Sequence, residues 1–435
     1  MKASFSVEPK KAPRSKQILY NISFMLFIDA IGVGIVFPIL PQLILNEHIG
    51  LIQGYSPYRA SLYSLTLAIY PIMNFFGMSF FGVMSDKYGR VPLLFIGLIT
   101  LVISYFFTTF SIINHSFSLF LFCRAAGGFL GGIYSVGNAI ASDVSGTDEK
   151  ERLDNFRLPS LADKLGMTIG PALSIFVTAN SYFQNEYIIP YVAVSFLGCL
   201  NIFILFYNFK HFKTPQIMHL SQQKKLQFSW SSLFNATFLM LKRKKERLLI
   251  LSFLAYQCGA GLFIQGISFY LTIEYNYTPS QIGLFSAVMG LFIVCSNYGL
   301  TRIFEKYFSC ARQLKIMLPL ITALFFISFF DKNYSLDLFQ NFLVKVWIMS
   351  STFYLSLPLA RLAFTTLFSS SVNDNEQGLI MGVAGQITAL SYFFSAAFVG
   401  HAVVYHLIIM ISGLAFSISY GFLYRYLMVS PNLEN

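Results

Sequence analysis

Apolar residues dominate long, nearly unbroken runs along this chain, and short polar turns separate the runs. Most runs reach roughly 20 residues or more, the length at which a helix crosses the hydrocarbon core of a bilayer. A chain inside lipid must satisfy its backbone hydrogen bonds internally, so these runs are predicted to be helical. The pattern places helices over 17–45, 58–84, 91–113, 117–141, 156–179 and 188–209. It then pauses over the polar stretch 210–246 and resumes over 247–273, 279–303, 312–330, 338–370, 377–400 and 402–428. The alternating segments of about 10 residues that build a membrane barrel are absent.

The expected fold is therefore an all-α integral membrane protein of twelve transmembrane helices in two six-helix, pseudo-symmetric halves. Residues 1–16 form a first tail, 17–209 the first half, 210–246 a basic linker, 247–428 the second half and 429–435 a second tail. A faint internal repeat fits two halves. Asp86-Lys87-Tyr88 follows the second run, and Glu305-Lys306-Tyr307 follows the eighth.

Charge changes the picture in one respect. Charged residues make up only 11% of the chain, against about 25% in soluble proteins. The net charge of +11 could suggest a nucleic-acid partner. Of the 30 Lys and Arg residues, however, two (Arg59 and Lys332) fall on one set of loops and 24 on the alternate set. That asymmetry is the positive-inside pattern, which puts both termini and the linker in the cytoplasm and excludes a nucleic-acid role for the charge. The remaining four, Arg124, Lys164, Lys345 and Arg361, sit inside apolar runs. Lys345 lies towards the outer end, where its ammonium is expected to snorkel to the interface. The five cysteines, Cys123, Cys199, Cys258, Cys295 and Cys310, lack metal or redox spacing and are read as buried structural thiols. The basic residues 1–16 lead straight into a full-length span without a cleavage site, as expected of an uncleaved cytoplasmic tail.

Two segments of the first half carry specific chemistry. The first span contains Asp29, followed by Gly32, Gly34, Pro38 and Pro41. Asp29 lies about 18 Å into the helix at 1.5 Å per residue, where an unpaired charge costs about 2.5 kcal/mol or more. The turn after the second span reads Gly82-Val83-Met84-Ser85-Asp86-Lys87-Tyr88-Gly89-Arg90. Its glycines allow a tight two-helix turn, and Asp86 and Arg90 can pair if that turn is helical. This run closely resembles the G-x-L-x-D-R-x-G-R signature of the major facilitator superfamily, with conservative changes at Met84 and Lys87. In that family the signature, here Gly82, Asp86, Gly89 and Arg90, helps control the inward-to-outward switch.

The spacing around Asp29 resembles the first helix of the family's tetracycline/proton antiporter branch. So do Ala141–Ser145 and the run Asn373–Gly378. Arg124 with Gly128 is similar to the family's fourth-helix motif, although the next glycine stands at Gly131. Arg124 cannot lose its proton, so its expected role is to hold a carboxylate's charge. Gly166, Gly170 and Pro171 resemble the G-x-x-x-G-P of the exporter motif, whose usual following glycine is replaced here by Ser174-Ile175. Small residues there allow close helix contact, and Gly-Pro permits a kink. Just before lies Asp163-Lys164, two charges inside a span, which mark a polar cavity or proton path. A self-compensating pair near the cytoplasmic end is the plainer alternative. Arg361 in the tenth span supplies a further cation for a central cavity. Glu274, His401 and His406 border external turns and are given no role.

The reading is a proton-coupled secondary transporter, an exporter by resemblance, for a small amphipathic molecule. Asp29, Arg124, Asp163, Lys164 and Arg361 form the proton and substrate path. A transporter of an anionic metabolite or siderophore-type chelate, in either direction, stays open because three cations in the spans face two acids. A non-transporting receptor or scaffold also stays open, although the tails are short. No G-x-x-x-x-G-K-[ST], H-E-x-x-H or G-x-S-x-G run is present, so neither an ATPase nor a hydrolase is expected. The expected partners are the inner-membrane bilayer and the substrate, with no cofactor or metal, a proton gradient as energy source and a monomer as the working unit.

Overall fold

The computed structural model describes residues 13–46, 50–52, 58–133, 136–137, 149–174, 186–210, 238–334, 342–372, 377–404 and 406–429. Twelve long helices account for most of them. The first half holds α1 (Pro13–Leu45), α2 (Arg59–Tyr88), α3 (Arg90–Ile113), α4 (Phe117–Gly131), α5 (Glu149–Leu173) and α6 (Ile189–Lys210). The second holds α7 (Lys244–Tyr275), α8 (Pro279–Cys295), α9 (Cys310–Tyr334), α10 (Phe342–Ser371), α11 (Gln377–Val404) and α12 (Ile408–Val429). Helix α8 runs through a π turn at Ser296–Leu300 into Thr301–Tyr307. Eight of the helices are long and apolar enough to cross a bilayer on composition alone. Helix α5 is more polar because it carries Asp163 and Lys164 as well as the charges of its first turns.

The helix pairings repeat with an offset of six. Helix α1 packs on α5 and α6, α2 on α4, and α3 on α4 and α6. Correspondingly, α7 packs on α11 and α12, α8 on α10, and α9 on α10 and α12. The two halves meet through α2 against α11 and α5 against α8, again a pair related by the same offset. The Asp86-Lys87-Tyr88 and Glu305-Lys306-Tyr307 triplets close α2 and the extension of α8, which are equivalent elements.

Small residues set the closest approaches. Gly166 and Gly170 on α5 lie against the backbone of α1 near Phe27 and Ile31, and a side-chain carbon at Gly170 would also lie 3.0 Å from Gly34 Cα. Gly128 on α4 and Gly132 just beyond its end meet the α2 backbone at Tyr70 and Gly77 in the same way. Aromatic rings fill the second half instead. Phe263 packs edge-on against Phe325 and Phe353 with centroids 4.9 and 5.1 Å apart, and Phe416 closes the group 5.3 Å from Phe325. Large apolar side chains such as Phe106, Phe122, Phe196, Phe203 and Phe398 stand exposed on the outer faces of the bundle, as a lipid-facing surface requires.

Two expectations change. Only Cys123 is buried, whereas Cys199 and Cys295 are exposed and Cys258 and Cys310 lie between; all five are free thiols. A thiol on a lipid-facing surface is as well solvated as a buried one, so apolar context alone did not distinguish them. Lys345 is buried at 8% exposure rather than reaching out. The described part of α4 ends at Gly131 and is followed by a turn at Gly132 and Ile133 and by helix again at Val136 and Gly137; the rest of the expected span to 141 lies outside the described residues.

Candidate functional site

A cavity of about 410 Å³ lies between the halves, bounded by α1, α5, α7, α8, α10 and α11. Lys164, Gln257, Asn297, Tyr354, Arg361 and Tyr392 provide much of its polar lining, and aliphatic side chains such as Ile264, Ile293 and Leu357 its apolar wall. Helix geometry explains how adjacent residues come to serve two places. Asp163 and Lys164 are about 100° apart around α5. Lys164 faces the cavity while its Nζ donates to Asp163 Oδ2 at 2.8 Å.

Asp163 in turn lies within electrostatic reach of Asp29 on α1. Tyr70 of α2 and Tyr105 of α3 stand close to both Asp29 and Arg124. Gly32 makes room for Tyr105, because a Cβ there would overlap the phenol. Arg124 stacks on Tyr70, with its guanidinium carbon 4.8 Å from the ring centroid, and Tyr191 of α6 is a further neighbour. Among the described residues it forms no ion pair, and its Nε has no hydrogen-bond partner. The sequence suggested a carboxylate for Arg124; among the described residues its neighbours are Tyr70, Tyr105 and Tyr191. Two groups of candidates thus emerge. Asp29, Asp163 and Arg124 lie with Tyr70 and Tyr105 inside the first half, and Lys164 and Arg361 line the cavity. The Asp163–Lys164 pair joins them.

The tyrosines and Gln257 were not singled out from the sequence. In a chain with 25 Tyr and 48 Phe, no spacing marks the few that reach a cavity. Gln257 is held by a hydrogen bond from its Nε2 to Thr388 Oγ1 at 3.1 Å, which fixes its place beside α11.

The turn motif is a break rather than a continuous helix. Gly89 has φ +93°, a left-handed conformation that favours glycine, and its N–H donates to Ser85 O at 3.1 Å. Asp86 and Arg90 therefore belong to two helices, α2 and α3; their side chains, like the loop Ala141–Ser145 and the run Asn373–Glu376, lie outside the described residues. The residue that departs from the exporter motif makes a contact between the halves. Ser174 Oγ, where that motif has glycine, donates to Pro171 O at 2.6 Å and lies 3.1 Å from Pro279 O at the start of α8.

Other contacts between halves gather at the end away from the termini. Gly400 N donates to Ser64 Oγ at 2.8 Å, and Ser61 Oγ lies 3.5 Å from His401 Nε2. Tyr63 stacks on Phe269 with centroids 4.1 Å apart and donates to Gln265 O at 3.3 Å. Nearby, His406 contacts Glu274 and ties α7 to the turn before α12.

Two six-helix halves related by an offset of six, meeting around a polar cavity, define a secondary transporter. The chain belongs to the Major Facilitator Superfamily, whose family profile matches residues 22–396. It is 23% identical over 387 residues to the quinolone resistance protein NorA of Staphylococcus aureus (strain COL), covering 89% of each chain. It is 29% identical over 193 residues to the class C tetracycline resistance protein of Escherichia coli, covering 44% of each. Among solved structures it resembles a D-xylose-proton symporter, with a TM-score of 0.72 at 12% identity over 95% of this chain and 97% of the other. It also resembles the human organic anion transporter MFSD10, with a TM-score of 0.61 at 16% identity over 95% and 100%. These structural likenesses show the fold. The protein is a multi-pass membrane transporter and not an enzyme.

Proposed function

We propose that the protein is a proton-coupled exporter of a small amphipathic molecule, working as a monomer by alternating access and needing no cofactor. The observation that carries this reading is a cavity between the halves whose lining Lys164 is bonded to Asp163, a carboxylate within electrostatic reach of Asp29. Asp29 carries the proton in this scheme. When both are ionised in the low-dielectric interior, Asp29 and Asp163 repel each other. A proton on Asp29 removes that repulsion and changes the balance between the two access states, which is what coupling requires. Relatives named for quinolone and tetracycline resistance support outward movement of an organic substrate.

The test is flux in proteoliposomes with an imposed pH gradient of either sign, with a quinolone and a tetracycline as first probes. Accumulation against the concentration gradient is expected only when protons run the opposite way. Accumulation that follows the proton inward would replace export with uptake.

The same reading puts the protein in the plasma (inner) membrane with both termini and residues 210–246 in the cytoplasm, on the 24-to-2 distribution of basic residues. Cysteines introduced in 210–246, in a background lacking the native five, are expected to resist an impermeant maleimide in intact cells. They should react after permeabilisation. Labelling in intact cells would invert the topology.

A further inference from the structure

Arg361 is a cation that the proton scheme leaves unused. It lies in the middle of α10, yet it is exposed while its neighbours Ala360, Ala363 and Phe364 are buried. Its exposure is to the central cavity, which it lines. Among the described residues it makes no ion pair and no hydrogen bond, and the nearby groups that feel its charge are the phenols of Tyr256 and Tyr392. The other cation of the lining, Lys164, is already neutralised by Asp163 at 2.8 Å. Among the described residues, no Asp or Glu lines the cavity. Among the described lining residues, Arg361 is therefore a cation without a paired acid.

A guanidinium offers five N–H donors in a planar fork suited to a carboxylate, and leaving them without an acceptor in a confined site is costly. We infer that the transported molecule is an amphipathic organic monoanion, its carboxylate or comparable acidic group held by Arg361. Its apolar body lies along Ile264, Ile293 and Leu357, with Tyr354 and Tyr392 beside it. The volume of about 410 Å³ suits a single small ligand. A cationic amphipath would meet Arg361 with like charge and no carboxylate on the cavity wall to receive it. The inference deepens the proposed function and rests on this cavity being the transport site.

Binding to the full-length protein in lipid nanodiscs tests the charge preference directly. Three probes share one ring system and differ in charge: 1-naphthylacetate, its neutral amide, and 1-naphthylmethylammonium. Calorimetry is expected to show the carboxylate binding at least about tenfold more tightly than the amide, as a charge-assisted hydrogen-bonded pair provides, and the ammonium most weakly. Arg361→Gln should remove the carboxylate preference, while Arg361→Lys, a point charge without the fork, should keep part of it. Equal binding of carboxylate and amide by the unaltered protein, or preference for the ammonium, overturns the inference without recourse to any variant. A carboxylate preference that survives in folded Arg361→Gln overturns it as well. Flux with the same probes separates this proposal from the functional one. Proton-driven export of the ammonium alone would sink the anion assignment and leave the exporter standing. Carboxylate binding with no proton-driven movement would do the reverse.

Discussion

Asp29→Asn is expected to abolish accumulation against a gradient while leaving downhill exchange of substrate measurable. Asp29 sits half-way along α1 among Gly32, Tyr70 and Tyr105, and the charged group within its electrostatic reach is the carboxylate of Asp163. Asparagine keeps the shape and the hydrogen-bonding capacity of a protonated Asp but cannot take up or release a proton. The Asp29–Asp163 repulsion is then permanently absent, and protonation no longer distinguishes the two access states. Substrate can still move down its own gradient because Lys164 and Arg361 in the cavity are untouched. The measurement is the final internal-to-external concentration ratio in proteoliposomes under a pH gradient, which should fall to unity, alongside unchanged counterflow. Full proton-driven accumulation by Asp29→Asn would remove Asp29 from the scheme and turn attention to Asp163, whose bond to Lys164 gives it a direct line to the substrate cavity.

The sequence revealed what single helices decide and missed what pairs of helices decide. Hydrocarbon thickness imposes a length on every span, so the twelve helices were readable as runs, and the ends of α3 and α6 fall within a residue or so of the expected positions. Isolated intramembrane charges are costly and few, so Asp29, Arg124, Asp163, Lys164 and Arg361 stood out without any knowledge of their neighbours. Their partners did not stand out. Arg124 stacks on Tyr70, a residue one helix away in a chain full of aromatics. Glu274 and His406 each looked like a turn residue, and only the packing of α7 near the start of α12 brings them together. Lys345 was expected to snorkel because its depth was visible, whereas the crowding of α10 that buries it was not. The glycines of α5 announced a close contact; that α1 is the helix they receive, through Phe27 and Ile31, is information that only the fold contains.

Gly400→Leu should hold the two halves apart at the end away from the termini and reduce flux at least about tenfold, because the halves meet there with α11 touching the α2 backbone. A side-chain carbon at Gly400 would lie 2.6 Å from Ser64 Oγ and closer still to the Ala60 carbonyl. The backbone there cannot yield cheaply. Gly400 N–H is bonded to Ser64, and the same stretch of α2 presents Ser61 to His401 and Tyr63 to Phe269. Overpacking of this kind costs about 1–3 kcal/mol, and it is paid only in the state that closes this end. The populations should therefore shift by about tenfold toward the state in which α2 and α11 separate. Spin labels at Ser61→Cys and Val404→Cys, in a background lacking the native cysteines, should report a longer resting distance in Gly400→Leu than in the parent. Gly382→Leu serves as the control on the same helix, since no atom of the described residues lies within 4 Å of the position its Cβ would take. It should leave both the distance and the flux unchanged. Should Gly400→Leu fail to insert, the smaller Gly400→Ala carries the same clash with Ala60 and should show the same shift in weaker form. Unchanged distance and flux in the inserted variants would mean that the α2–α11 contact is not what closes this end.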